Sequence, residues 1–442
     1  MRLLAIDFGT SNTVAAVRGG DGRIRPLLFD GTPLLPSAVC LDRTGTPLTG
    51  RDAERAARLD PDRFEPYPKR RVDDGTVLLG DREVPVVALV AAVLCRVAGE
   101  ARRQLGGVDE VRLTHPAGWG ERRRSVLVAA AGDAGLPTPT LLAEPVAAGA
   151  YYVSVLGAAL PPGRALAVYD LGGGTLDVTV VRRTPAGFEV LAEAGDAQLG
   201  GLDFDQALVE HLGRGHAGDR TTVWRGLLAP ADVEGRRRRS LLYDEARAAK
   251  ELLSRAASAE LHLPGLDVRA HVTREELESL IGPLLAPTVD GLARVVRGAG
   301  LEPRELGGIF LVGGSSRIPL AARLIHARLG VAPTALEQPE TVVAEGALCH
   351  PPPSPVPVAT RTPSGPALEG VGSTVPAGSG TTAAGPVPSL GPASAPGPVF
   401  AGTVRPEPGR FWHGTSGLRW TGALAVLVVV ALVVLVAVAG AG

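Results

Sequence analysis

The chain has 442 residues, 45% hydrophobic and 21% charged, which is length enough for two or three domains and a large core. Its formal net charge is −1, from 45 basic and 46 acidic residues, so nothing global draws it to nucleic acid. Three cysteines, Cys40, Cys95 and Cys349, are odd in number and far apart; they argue against a disulfide framework, fit a reducing compartment and read as buried small side chains.

In chain order, the first element is LLAIDFGTSNTVAAV at residues 3–17. It predicts a strand over 3–8 with Asp7 near its tip, a turn of small residues, and a second strand. Asp7 also cuts the apolar run short, so no secretory signal is expected. Helices are expected over 86–105 and 121–134. Residues 165–181, ALAVYDLGGGTLDVTVV, then repeat the opening pattern 163 residues later, with Asp170 matching Asp7 and Gly172 matching Gly9. Strands are expected over 165–170 and 175–182, and a repeat at this distance predicts two similar lobes facing each other. A helix is expected over 243–258, and the preceding GRRRRS run at 235–240 reads as a solvated helix start. A strand over 308–312 runs into Gly313, Gly314, Ser315 and Ser316, followed by a helix over 319–329 with Pro319 in its first turn. Residues 1–350 therefore read as globular α/β.

The composition shifts after residue 350. Pro, Gly, Ser, Ala and Thr dominate, too few apolar residues remain to offset chain entropy, and a disordered spacer is expected over 351–420. Residues 421–442 carry no charge over 22 positions, a length of about 33 Å as a helix, which predicts a single transmembrane helix contacting membrane lipid. Arg405, Arg410 and Arg419 precede it and nothing basic follows. The expected placement is a C-terminal anchor in the cell membrane with the head in the cytoplasm.

Two acid-tipped hairpins facing a cleft suit one chemistry in particular. Glycines let backbone N–H groups approach phosphate oxygens, and Thr10, Ser11, Asn12 and Thr175 add polar side chains. A carboxylate beside a polyphosphate is tolerable when Mg²⁺ lies between, so Asp7 and Asp170 would flank one hydrated Mg²⁺. The turn and helix start after 308–312 offer a third phosphate-favouring element. No GxxxxGK[ST] sequence occurs, which excludes a P-loop enzyme. Only two of the basic residues are lysines, Lys69 and Lys250, so each stands out in a chain biased to arginine.

The order of these motifs resembles the nucleotide-binding domain of the DnaK-type heat shock protein 70 family, within the actin-like ATPase superfamily. AIDFGTSNTV and YDLGGGTLDVTVV resemble its two phosphate motifs, VRLTHPAGWGERRRSVLVAAAGDAGL its connecting segment, and LLAEPVAAGAYY its NEPTAAA motif. AGDAQLGGLDFDQALVEHL resembles the segment that separates these chaperones from sugar kinases and actins, and LVGGSSRIP the adenosine motif. The resemblance implies a two-lobed, ribonuclease H-like fold over 1–350, with lobe I about 1–148 and lobe II about 149–350, and slow hydrolysis of ATP to ADP with Mg²⁺. Asp7 and Asp170 would hold the hydrated Mg²⁺. Thr10, Ser11 and Asn12 would contact phosphates from one lobe, and Gly172, Gly173, Gly174 and Thr175 from the other. Gly200 and Gly201 would join the nucleotide-binding set. Glu144 would orient or deprotonate the attacking water, and Lys69 falls where the family has its catalytic lysine. Lys250 and Ser254 match nucleoside contacts; Gly313, Gly314, Ser315 and Arg317 would line the adenosine. Pro116 and Arg124 match the proline–arginine switch that relays nucleotide state.

The pattern also departs from the family. Arg247 stands where a glutamate is usual, Glu251 where a basic residue is usual, and Gly118 replaces an aromatic beside Trp119. Neither an acidic-leucine linker nor a β-sandwich peptide-binding domain is expected after the head, so the family's peptide-refolding cycle is not carried over. The expectation is a membrane-tethered, Hsp70-like ATPase whose lobe closure acts on an unidentified protein partner. The alternative is a nucleotide-binding scaffold or sensor at the membrane that does not hydrolyse.

Overall fold

The computed structural model describes residues 1–351. The expected spacer beyond Pro351 and the expected span over 421–442 lie outside the described residues.

Leu3–Phe8 pairs antiparallel with Asn12–Arg18, and on its other edge parallel with Glu110–His115. Thr140–Ala143 continues the parallel side, while Ile24–Pro26 and Leu34–Pro36 extend the antiparallel side. The second sheet repeats this plan. Ala165–Leu171 pairs antiparallel with Leu176–Thr184, which pairs with Gly187–Asp196. Its other edge pairs parallel with Leu306–Val312, beyond which Thr334 bridges Phe310 in parallel. The echo between the two hairpins therefore extends through both sheets, in a mixed α/β chain.

Strand composition follows from burial on both faces. Leu4, Ile6 and Phe8 point to one side and pack with Val90 and Leu94 of the helix Val86–Leu105. Leu3 and Ala5 point the other way and pack with Val342, Val343 and Ala347 of the helix Val342–Cys349. The helix Arg274–Gly298 buries Leu277, Ile281, Leu285, Leu292 and Val296 in the core of the second sheet.

Two short helices connect the halves. Glu144–Ser154 follows the last strand of the first sheet yet packs on the second, and Val342–Cys349 follows the second half yet packs on the first. They cross at Gly346, where a Cβ would lie 2.1 Å from the Ala147 carbonyl oxygen. Buried Arg112 donates to the carbonyl oxygens of Ala347 and His350, each at 2.6 Å, and Arg18 to that of Leu348 at 2.9 Å. These arginines satisfy the carbonyls left free at the end of the helix Val342–Cys349.

Three expectations need correction. The helix expected over 243–258 is Val233–Leu253: Asp232 caps it by accepting from the Gly235 N–H at 2.6 Å, and a strand begins at Ser258. The arginine run is therefore within its first turns, and it is not merely solvated. Arg236 pairs with Asp62 at 3.0 Å, and Arg237 donates to the Arg58 carbonyl at 2.6 Å. Cys95 is exposed; Cys40 is buried and Cys349 half-buried.

Candidate active site

The turns of the two hairpins face each other. In the first, Ser37 Oγ donates to the Gly9 carbonyl at 2.8 Å and lies 2.9 Å from Thr13 Oγ1, while the Ser37 N–H meets the Ser11 carbonyl at 2.9 Å. In the second, the Gly172 N–H meets the Thr175 carbonyl at 2.9 Å. The turns are close: a Cβ on Gly173 would lie 2.3 Å from Ser11 Oγ. The helix Gly201–His216 starts against the second turn, and a Cβ on Gly200 would meet the Gly174 nitrogen at 2.6 Å. Gly313 has φ +82° and lies where a Cβ would be 2.5 Å from Asp170 Oδ1, so both conformation and space require glycine there.

The charged groups converge between these turns, lining one cleft of about 980 Å³. Asp7 accepts from Thr114 Oγ1 at 2.9 Å. Asp170 and Asp177 lie opposite each other in the second hairpin. Glu144 opens its helix, and its Oε1 accepts from Lys69 Nζ at 2.9 Å. Burial, then the Glu144 charge, push the Asp7 carboxyl up to about 7 against the pull of Lys69. The same two causes push Asp177 up to about 7. Asp170 is raised well above the ordinary carboxyl value by burial, then by Glu144, Asp177 and Asp7. Burial works against the Lys69 ammonium, but Glu144 and Asp7 outweigh it and hold its pKa above the ordinary lysine value. Like charges held this closely, away from water, call for a cation and for hydrogen-bond donors.

Most of the residues singled out by sequence surround this cleft. Thr10, Ser11 and Asn12 line it from the first turn, and Gly172, Gly173 and Thr175 from the second. Gly201, Lys250, Ser254, Gly313, Gly314, Ser315 and Arg317 line it farther along, with Arg247 and Glu251. Lys250 Nζ donates to the Gly201 carbonyl at 2.7 Å and pairs with Asp205 Oδ1 at 2.8 Å. Arg317 pairs with Glu340 at 2.8 Å, and Ser254 Oγ donates to the Lys250 carbonyl at 3.4 Å.

Four residues singled out by sequence, Gly174, Gly200, Pro116 and Arg124, do not line the cleft. Gly174 gives its carbonyl to Arg70 Nη2 at 2.8 Å, and Gly200 caps a helix. Pro116 accepts from the Trp119 N–H at 3.1 Å, and Arg124 lies in the helix Glu121–Asp133. No hydrogen bond joins Arg124 to Pro116 among the described residues.

Sequence reasoning missed several participants. Asp177 is the most consequential; the register that puts Val14 opposite Asp7 puts Asp177 opposite Asp170. The signal was present, since Asp177 is the one acid in the second hairpin with an apolar counterpart in the first. Asp205, Ser37, Thr114 and Arg70 had no comparable signal, because each acts through a contact distant in sequence.

Comparison with known proteins agrees with this geometry. The family model described as Hsp70 protein matches residues 76–350. Chaperone protein HscA of Pectobacterium carotovorum is 34% identical over 374 residues, covering 78% of this chain and 57% of the relative. An HscA homolog of Aeromonas hydrophila is 35% identical over 373 residues with the same coverage. Chaperone protein dnaK3 of Synechococcus elongatus is 31% identical over 383 residues, covering 78% of this chain and 49% of that protein. The chain thus spans about half the length of the curated relatives it matches. The family model spans the second sheet, its glycine turn and Glu144, and several chaperones match 78% of the chain at 31–35% identity; the chain belongs to the Hsp70 family.

Proposed function

We propose that residues 1–350 form a two-lobed, actin-like ATPase that binds ATP with Mg²⁺ in the cleft and hydrolyses it slowly. One observation carries the reading: Asp7, Asp170, Asp177, Glu144 and Lys69 meet between two glycine turns in a single cleft. The donor set fits a magnesium nucleotide. Buried carboxylates lack enough countercharge from one ammonium, and Mg²⁺ supplies it when bound with the phosphates. Among the described residues no three His, Cys, Asp or Glu side chains are grouped to hold a metal directly. Asp7 and Asp170 would hold the ion through waters it keeps.

The roles of the chain's own residues follow from charge and reach. Backbone N–H groups of the two turns bind phosphate oxygens. Glu144 orients the attacking water and accepts its proton, with Thr175 nearby. Lys69 stabilises charge developing on the γ-phosphate. Lys250, Ser254 and the Gly313–Arg317 segment hold the nucleoside. Single-turnover hydrolysis by the full chain tests this: a measurable rate that falls about a hundredfold or more in Lys69→Ala supports it. Tight ATP binding without turnover supports a sensor instead, a reading favoured by Arg247 and Glu251 at the nucleoside end.

The proposed output is nucleotide-dependent lobe closure acting on a client or partner protein that contacts the head. Its support is the name chaperone carried by the relatives. The proposed location is the cytoplasmic face of the cell membrane, supported by the uncharged run 421–442 and the arginines before it. Co-purification from membranes with the unaltered chain but not with Asp170→Asn would support both. Recovery in the soluble fraction would refute the tether.

A further inference from the structure

Lys69 has a second neighbour besides Glu144. Its Nζ lies 5.5 Å from the centroid of the Trp119 ring, within the range of a cation–π contact. The same ring receives the Arg123 guanidinium, whose Cζ is 6.0 Å from the centroid. Arg123 in turn donates from Nε to Asp73 Oδ1 at 3.0 Å and from Nη2 to Asp73 Oδ2 at 2.5 Å. Asp73 follows Lys69 by four residues. The lysine-bearing segment is thus fixed to the Trp119 segment twice, once by the ammonium on the ring and once by the Asp73–Arg123 pair.

This arrangement bears on a conflict inside the cleft. Lys69 and Glu144 neutralise each other at 2.9 Å, yet the proposed reaction needs Lys69 on the γ-phosphate and Glu144 on the water. When they separate, the ammonium loses its nearest carboxylate in a buried setting. Lysine is a point charge on a long flexible stem, so nothing in its own geometry keeps it aimed. A tryptophan face offers the ammonium a favourable surface that does not compete for the phosphate oxygens. Trp119 is itself buried in the core of the first sheet, which favours a ring that stays in place when the ligand binds.

We propose that Trp119 is the positioning residue for Lys69, its indole face holding the ammonium over the cleft as the Lys69–Glu144 pair opens. The inference rests on the nucleotide-binding reading, and its test reads binding, not turnover. Calorimetry on the full chain with Mg²⁺ gives the affinities for ATP and ADP in the unaltered protein, Trp119→Leu, Trp119→Phe, Lys69→Met and the Trp119→Leu/Lys69→Met double variant. The expected result is an ATP-over-ADP preference that falls about three- to tenfold in Trp119→Leu, the size of a partly desolvated cation–π contact. Trp119→Phe keeps the preference, ADP affinity is unchanged in both single tryptophan variants, and Trp119→Leu adds nothing once Lys69 is gone. Equal weakening of both nucleotides, or additive effects of the two substitutions, makes Trp119 a packing residue only and overturns the proposal. A protein that binds ATP and never turns it over still decides the matter, and overturns only the hydrolase reading. A protein that binds neither nucleotide overturns both.

Discussion

Arg247 donates from Nη2 to the Tyr67 hydroxyl at 2.9 Å, joining the helix Val233–Leu253 to the segment that carries Lys69. The contact is one of three from that helix. Arg236 reaches Asp62 and Arg237 reaches the Arg58 carbonyl, while Arg247 also lies 3.7 Å from Asp205. Each link is partly exposed and weak alone, of order 0–1 kcal/mol for the ion pairs. Together they tie the two halves across the cleft. Replacing Arg236 and Arg247 by alanine is expected to speed nucleotide release about three- to tenfold, and raising salt in the unaltered protein to speed it less. Stopped-flow release of a fluorescent nucleotide reads both; an unchanged rate would mean that release does not require these links to part.

Buried carboxylates give the ligand-free head a defined pH response. Asp7 and Asp177 stand at about 7 when folded, against an ordinary value of 3.8. A carboxyl with a raised folded pKa binds more protons in the folded state than in the unfolded one between those two values. Its contribution to stability is therefore full below about 3.8 and is lost as pH rises to about 7. The expected observation is a melting temperature of the ligand-free protein that falls across this window, with a shallower fall in Asp177→Asn. Magnesium nucleotide should offset the loss above pH 7, because it binds the ionised folded form. A slope identical in Asp177→Asn would show that this group does not titrate with folding.

The fold was largely readable because its elements carry local signals. Leu3–Phe8 and Ala165–Leu171 are apolar on both faces, end on Asp-x-Gly, and recur at a fixed distance, so strand, turn and duplication were all visible. What was not visible depends on pairing across the chain. Asp205 receives Lys250 from another helix, and Ser37 bonds to Gly9 from 28 residues away. The arginine run looked like a solvated helix start because its acceptors, Asp62 and the Arg58 carbonyl, lie more than 170 residues earlier. The site was legible in its glycine turns, whose spacing recurs in both hairpins, and less so wherever a polar side chain supports those turns from a distance.

The crossing of Glu144–Ser154 with Val342–Cys349 should be a matter of stability. A methyl group at Gly346 would sit 2.1 Å from a backbone carbonyl, which cannot swing aside as a side chain can. Gly346→Ala is expected to destabilise the head by about 1–3 kcal/mol, the usual size for overpacking. Urea unfolding measures it. A change below about 0.5 kcal/mol, the level of a surface substitution, would show that the two helices part without cost.

Glu251 offers the clearest gain-of-function test. It lines the cleft next to Lys250, and its charge helps to raise the Glu340 carboxyl, where burial is the larger cause. Glu340 is already paired with Arg317, so Glu251 is an acid left beside this pair at the proposed nucleoside end. An anionic carboxylate is a poor stacking partner for a nucleobase, whereas a guanidinium stacks on one and carries the charge that phosphates favour. Glu251→Arg is therefore expected to raise affinity for ATP and ADP alike, by about three- to tenfold, with little change in the hydrolysis rate of the bound complex. Equal gains for both nucleotides locate the effect at the base and ribose; a gain confined to ATP would place Glu251 near the γ-phosphate. Unchanged affinity for either nucleotide would mean that the base lies elsewhere in the cleft, and the assignment of Lys250, Ser254 and Arg317 to the nucleoside would fall with it.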